Sequence, residues 1–223
     1  MNIPFNTEQF LGVFQVYNDA IWPAQLIGYI VAVMAMIAVS VKYSGASRLI
    51  AGTMGVFWIW TGTAYHIIFF SEINQAAYLF GAAYILNGLI YFYFGALKSN
   101  LQFRFDGRWI SIVGYVFMTF AIIVYPVLGL FFGHSYPRIP LFPLTPCPLT
   151  IFTFGVLLTA IRPVRWHIWI IPFVWSIIGF TAALRFGIKQ DIGLLIAGVV
   201  GVIFILAAGR KRNDNVQLRH PSS

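Results

Sequence analysis

Seven stretches of this chain, at 22–41, 49–70, 76–97, 109–132, 148–161, 166–184 and 192–208, contain no Asp, Glu, Lys or Arg. A bilayer's hydrocarbon core selects for such runs, because an apolar helix needs about 20 residues to cross it. Only 9% of the 223 residues are charged, against about 25% in a soluble domain. With 60% hydrophobic residues and a mean hydropathy of +0.82, the chain cannot build a solvated surface, but it can build a lipid-facing one. The expected class is therefore an all-α polytopic membrane helix bundle of about seven transmembrane helices. Its expected partner is the lipid bilayer of the cell membrane.

The net charge of +8 does not point to nucleic acid, because the basic residues sit in short loops and a tail. Lys42, Arg48, Lys98, Arg104, Arg108, Arg162, Arg165, Arg210, Lys211, Arg212 and Arg219 fall on one predicted side, while Arg138, Arg185 and Lys189 fall on the other. The positive-inside rule puts the larger set in the cytoplasm, which predicts an N-out, C-in chain. Glu8, Asp19, Glu72 and Asp191 then lie outside. The chain divides into an outer amphipathic segment (1–21), the bundle (22–208) and a basic cytoplasmic tail (209–223). The tail is expected to be a disordered anchor near anionic headgroups. Residues 1–20 carry no Lys or Arg and no hydrophobic core before a cleavage site, so the first span is expected to be retained.

The fifth stretch is short. As helix, 148–161 reaches about 21 Å, less than a core of roughly 30 Å. The apolar run begins earlier, at Ile139, where Pro140, Pro143, Pro146 and Pro148 exclude a regular helix. This predicts extended backbone dipping into the bundle, followed by a half-helix starting near Pro148. Irregular backbone at that depth must be covered by protein or line a wet cavity. At the N-terminus, Asn6 and Gln9 have the spacing of a capping pair. Phe10, Phe14, Tyr17 and Ile21 fall at helical spacing, which predicts an amphipathic helix over 5–19 resting on the outer leaflet.

Small residues recur every four positions at Gly193–Ala197–Gly201, Gly179–Ala183 and Ala77–Gly81, which marks close helix packing and no chemistry. Trp22, Trp109 and Trp166 sit at expected interfaces, whereas Trp58, Trp60 and Trp175 read as bulky filling. Asn87 reads as a hydrogen-bonding glue between helices, and His167 as an interfacial side chain. Arg185, Lys189 and Asp191 read as a local ion pair in the last outer loop.

Ionisable groups inside a bilayer are costly, so one that persists is a functional candidate. His66 shares a helical face with Gly55, Ile59, Gly62 and Thr63. Glu72 and Asn74 follow in the next turn. His134 opens the outer loop, and Cys147 and Thr150 flank the start of the half-helix. These six residues, His66, Glu72, Asn74, His134, Cys147 and Thr150, fall at one expected depth and form the candidate solute-binding set. His66 and His134 with the carboxylate and the thiol would suit zinc or copper, the two histidines alone would suit haem iron, and the half-helix N-terminus would suit an anion. No HxxxH, HxxE or CxxC spacing supports a metal, and a single cysteine excludes a disulfide framework. The plain alternative is that His66 hydrogen-bonds a neighbouring carbonyl and His134 sits in water. No lysine in the last span is available for a retinal Schiff base, and no serine or aspartate pair is placed for hydrolysis.

Four strings, Trp22-Pro23-Ala24-Gln25, Tyr65-His66-Ile67-Ile68-Phe69-Phe70, Gly133-His134-Ser135-Tyr136-Pro137 and the run from Pro146-Cys147-Pro148 to Thr153-Phe154-Gly155, resemble a family of bacterial integral membrane proteins. That family is known as a domain of unknown function. The resemblance runs from about Phe5 through the last span. It implies a multi-pass membrane protein and carries over no catalytic residues. Two functional readings follow from the residues: a small-solute or ion transporter with a site near the outer leaflet, or a metal- or haem-binding redox protein using His66 and His134.

Overall fold

The computed structural model describes residues 4–41, 43 and 45–219. Lys42, counted above among the cytoplasmic charges, and residues 220–223 of the tail lie outside the described residues. The same holds for the side chains of the basic cluster from Arg210 to Arg219. Among the described residues the fold is all-helical, apart from one isolated bridge between Phe103 and Ala160.

Nine α-helices follow in chain order: α1 (Thr7–Ala20), α2 (Ala24–Ser40), α3 (Ala46–Trp60), α4 (Ala77–Ile90), α5 (Trp109–Thr119), α6 (Tyr125–Phe131), α7 (Pro146–Leu158), α8 (Trp166–Phe186) and α9 (Ile192–Arg219). Three of them run on into π-helical turns: α3 through Thr61–Phe69, α4 through Tyr91–Leu97, and α5 through Phe120–Val124 into α6. Four helical runs are long and apolar enough to cross a membrane, namely Ala77–Leu97, Trp109–Phe131, Trp166–Phe186 and Lys189–Gly209. A fifth is added if α1 and α2, bent by 86° at Ile21–Pro23, count as one. The last helix does not stop at Ala208; its backbone stays helical through Arg219.

Charge separates onto two ends of the bundle, as the loop hydrogen bonds show. At one end, Phe105 N–H donates to Val39 O, Arg104 N–H to Thr159 O, and Ile161 N–H to Gln102 O. Ser47 and Arg48 join them through Phe103 N–H and Ser99 Oγ. That end holds Arg104, Arg108, Arg162 and Arg165. At the other end Arg138 pairs with Glu8 at 2.6 Å, beside the turn that carries Arg185 and Lys189.

The capping pair forms as the spacing predicts, with Asn6 Oδ1 and Gln9 Oε1 each accepting the other's backbone N–H at 2.9 Å. The helix it starts does not rest its apolar face on lipid. Phe10, Leu11, Phe14 and Tyr17 are buried against the bundle, with Phe10 stacked on Phe186 at 4.7 Å and Phe14 on Tyr65 at 5.4 Å. A helix carrying four large apolar side chains finds more surface in the open end of this bundle than in headgroups. Ile21 falls beyond the helix, as its C-cap.

The Pro-rich stretch forms irregular backbone followed by a short helix, too short to be among the runs that could cross a membrane. Ile139, Phe142 and Leu144 are buried, and α7 starts after Thr145 with Pro146 and Pro148 in its first turn, where a missing N–H leaves no bond unmade. Extended backbone there needs partners, and α1 supplies them. Asn18 Nδ2 donates to Pro137 O at 2.7 Å and Ile139 O at 2.8 Å, and Tyr17 Oη donates to Leu144 O at 2.6 Å. All of α7 except Cys147 is buried, so it is a central post and not a lipid-facing span.

Helices meet at glycines where backbones touch. A Cβ on Gly155 of α7 would lie 2.7 Å from Gly114 O of α5, and one on Gly114 would lie 2.6 Å from Gly155 O. Gly62 and Gly81 make the same reciprocal approach at 2.8 Å. Any side chain at Gly155 meets backbone on both counts. Gly155→Ala should therefore destabilise the protein by about 1–3 kcal/mol, the usual cost of overpacking. Gly12→Ala, in α1 with nothing within 4 Å, should be neutral or stabilising by roughly 0.5–1 kcal/mol. Thermal unfolding in detergent compares the two; equal effects would mean that α5 and α7 do not touch at Gly155.

Candidate functional site

A cavity of about 320 Å³ lies at the end of the bundle covered by α1. Its walls are aromatic. Phe5, Phe10 and Phe14 come from the α1 segment, Tyr65 and Phe70 from the π-turn and the following 3-10 turn after α3, and Trp175 and Phe186 from α8. Pro140 and Pro146 supply the Pro-rich edge, and Arg185 and Asn74 also line it. Three larger recesses, of about 340, 380 and 820 Å³, lie at the opposite, basic end, beside Asp106 and Arg108, beside Arg162 and Arg165, and beside Arg48 and Arg104. The α1-end cavity differs from them in its aromatic lining and in bearing a buried acid.

One side of the aromatic cavity carries a carboxyl group. Asp191, at the start of the last span, is 3% exposed. Tyr125 Oη of α6 donates to its Oδ1 at 2.5 Å, and the Cys147 thiol of α7 lies beside the same carboxyl group. Among the described residues the ion pairs are Arg108–Asp106 and Arg138–Glu8, so no cation neutralises Asp191. Arg185 is exposed, and Lys189 Nζ is turned over the Phe132 ring, 5.5 Å from its centroid. The expected ion pair in the last loop is therefore not what forms; Asp191 turns into the bundle instead. Trp175, expected as filler, lines the cavity, and its indole N–H has no acceptor of ordinary hydrogen-bond geometry, only the weakly accepting Cys147 sulfur near it.

The six residues singled out from the sequence separate into three groups. Asn74 and Cys147 line the cavity. Thr150 is fully buried behind it, donating to Pro146 O at 2.9 Å with Tyr84 Oη at 3.4 Å. His66 is also fully buried one layer behind the wall, enclosed by the rings of Tyr65, Phe70, Phe80, Tyr84 and Trp175, the last two at 4.7 and 5.0 Å. Neither of its ring nitrogens has a hydrogen-bond partner, so the expected bond to a carbonyl is not made. Glu72 and His134 are not part of the cavity lining: Glu72 is exposed, and His134 is half-buried in the loop. Partial burial draws the His134 imidazole below the ordinary histidine value, and its backbone N–H closes the end of α6 on Gly129 O.

No group of three or more His, Cys, Asp and Glu side chains comes together to hold a metal ion among the described residues. His66 faces carbon rings and not a second ligand, so the metal reading finds no donor set. Asn87, expected to bond across helices, is fully buried with both amide atoms unpartnered.

Asp191 is the residue that sequence reasoning missed. A signal existed: counted from it, Leu194, Gly198 and Gly201 fall at offsets of 3, 7 and 10, and all three are buried. The acid stands at the head of the packing face of the last helix, not in the loop before it.

The described geometry places weight on Asn18, whose amide nitrogen holds two carbonyls of the Pro-rich edge. Asn18→Ala should cost about 1–3 kcal/mol, the price of leaving buried groups unpaired. Asn18→Asp should cost more, since it turns an acceptor toward two acceptors. Chemical denaturation in micelles ranks the variants; an aspartate as stable as the alanine would contradict these bonds.

The family of unknown function DUF6064 matches residues 7–216, so the chain belongs to that family. No curated protein and no solved structure matches it.

Proposed function

We propose that this is a seven-span protein of the cell membrane, N-terminus outside and C-terminus in the cytoplasm, that binds a small solute in the aromatic cavity and passes it across the bilayer. The separation of basic loops from the α1 end supports the orientation, through the positive-inside rule. Seven crossings follow if α1–α2, the run from Ala46 through Phe69, and the Pro-rich segment with α7 each count as one, besides the four long apolar runs.

One observation carries the binding reading: a cavity of about 320 Å³ bounded by helices and bearing a buried, uncompensated Asp191. Burying a carboxyl costs several kcal/mol, and a membrane bundle with no use for it would fill the position with an apolar side chain. Cavities of roughly 300–1,000 Å³, mostly apolar with a few convergent polar groups, are the usual form of small-ligand sites. The Pro-rich break supports passage, since discontinuous helices near a site are how many transporters build a gate. In this reading Asp191, Cys147, Trp175 and Asn74 touch the solute, and His66 and Thr150 position the wall.

The chain's one cysteine reports on the cavity directly. Cys147 in purified protein should react with a small membrane-permeant maleimide at a measurable rate, read by intact-mass spectrometry. Gly179→Leu should slow the reaction at least about tenfold, because a Cβ at Gly179 already lies 3.5 Å from Cys147 Sγ and 3.3 Å from Trp175 Nε1. A folded Gly179→Leu protein labelled as fast as the wild type would count against a reachable cavity.

A further inference from the structure

We infer that the solute is a small organic ammonium ion carrying an apolar body and an oxygen acceptor. The inference rests on the binding reading above and names its substrate class.

Three features of the same wall point to that chemistry. Eight aromatic side chains line the cavity, and an aromatic enclosure is the usual means by which proteins hold quaternary ammonium groups. The one acid among the cavity-lining residues, Asp191, is 3% exposed, and no Lys, Arg or His pairs with it among the described residues. Tyr125 Oη donates to its Oδ1, and no basic side chain among the described residues stands against it, so a ligand cation would meet this carboxyl group without a competitor. The Trp175 N–H, on a side chain that is 9% exposed, has no ordinary acceptor, so it asks for an oxygen on the ligand. A cation with an oxygen a few atoms away from it answers both groups at once.

Arg185 also lines the cavity and would favour an acid, but it is exposed. Solvent and salt screen an exposed charge, while a buried one keeps its full reach. The choice between cation and anion therefore follows Asp191. His66 does not alter it, since its ring lies behind Trp175 and Tyr84 and outside the cavity.

The test uses benzoylcholine, its carbon isostere 3,3-dimethylbutyl benzoate, and benzoate, each competing against radiolabelled benzoylcholine on the full chain in a neutral detergent. The expected result is saturable binding of benzoylcholine, with the isostere and benzoate at least about tenfold weaker. Asp191→Asn, which keeps an acceptor for Tyr125, should weaken benzoylcholine by a similar factor. Equal binding of the isostere, or preference for benzoate, overturns the ammonium assignment while leaving solute binding intact. No saturable binding to a folded protein whose Cys147 is still labelled also overturns the assignment and leaves a cavity of other specificity. If Asp191→Asn does not fold, the wild-type comparison of cation and isostere decides alone.

Discussion

A buried carboxyl group needs partners inside the bundle, and Asp191 fixes how this end of the molecule is arranged. Its Oδ1 accepts from Tyr125 Oη and the Cys147 thiol lies beside it, which brings three segments distant in sequence to one point. Tyr125 reaches it because the π-turn over Phe120–Val124 rotates the chain into α6, and a π-turn changes the register of every residue after it. Cys147 reaches it because α7 starts at Pro146, partway along the bundle, and not at the end. A regular fifth helix would have carried residue 147 elsewhere. The Pro-rich break and the carboxyl group are thus parts of one arrangement.

That arrangement leaves extended backbone inside the bundle, and α1 makes it tolerable. Trp60 Nε1 donates to Tyr17 Oη, which donates to Leu144 O, while Asn18 holds Pro137 and Ile139. Gln25 of α2 in turn donates to Asn18 O at 2.7 Å. The segment that satisfies the irregular backbone also roofs the cavity with Phe5, Phe10 and Phe14. One short helix thus serves both stability and site, and any motion that opens the cavity through α1 must disturb those bonds.

Much of this was legible from residue order. The absence of charge between loops indicates an all-helical fold with several helices apolar enough to cross a membrane, the basic loops gather at one end, and the four prolines between 140 and 148 mark the break. Asn6 and Gln9 form the capping box that their spacing implies. The site was harder to read, for physical reasons. Asp191 follows Lys189 and stands one residue outside the apolar run, so hydropathy assigns it to water, whereas helical phase assigns it to the packing face. His66 attracts notice as a buried base, but the π-turn over Thr61–Phe69 breaks the phase that grouped it with Thr63, which is exposed. The apolar face of α1 shows that something covers it, but periodicity alone does not separate lipid from protein.

The measurement that bears most directly on this account is a double-mutant cycle between Tyr125→Phe and Asp191→Ala, read by chemical denaturation in micelles. If the carboxyl is held inside the bundle by the Tyr125 hydroxyl, the two changes will couple by about 1.5–3 kcal/mol, the range for hydrogen bonds to charged groups. If Asp191 sits instead in the solvated loop, the two effects will add to within about 0.5 kcal/mol, and the cavity will lose the polar wall on which its proposed function rests.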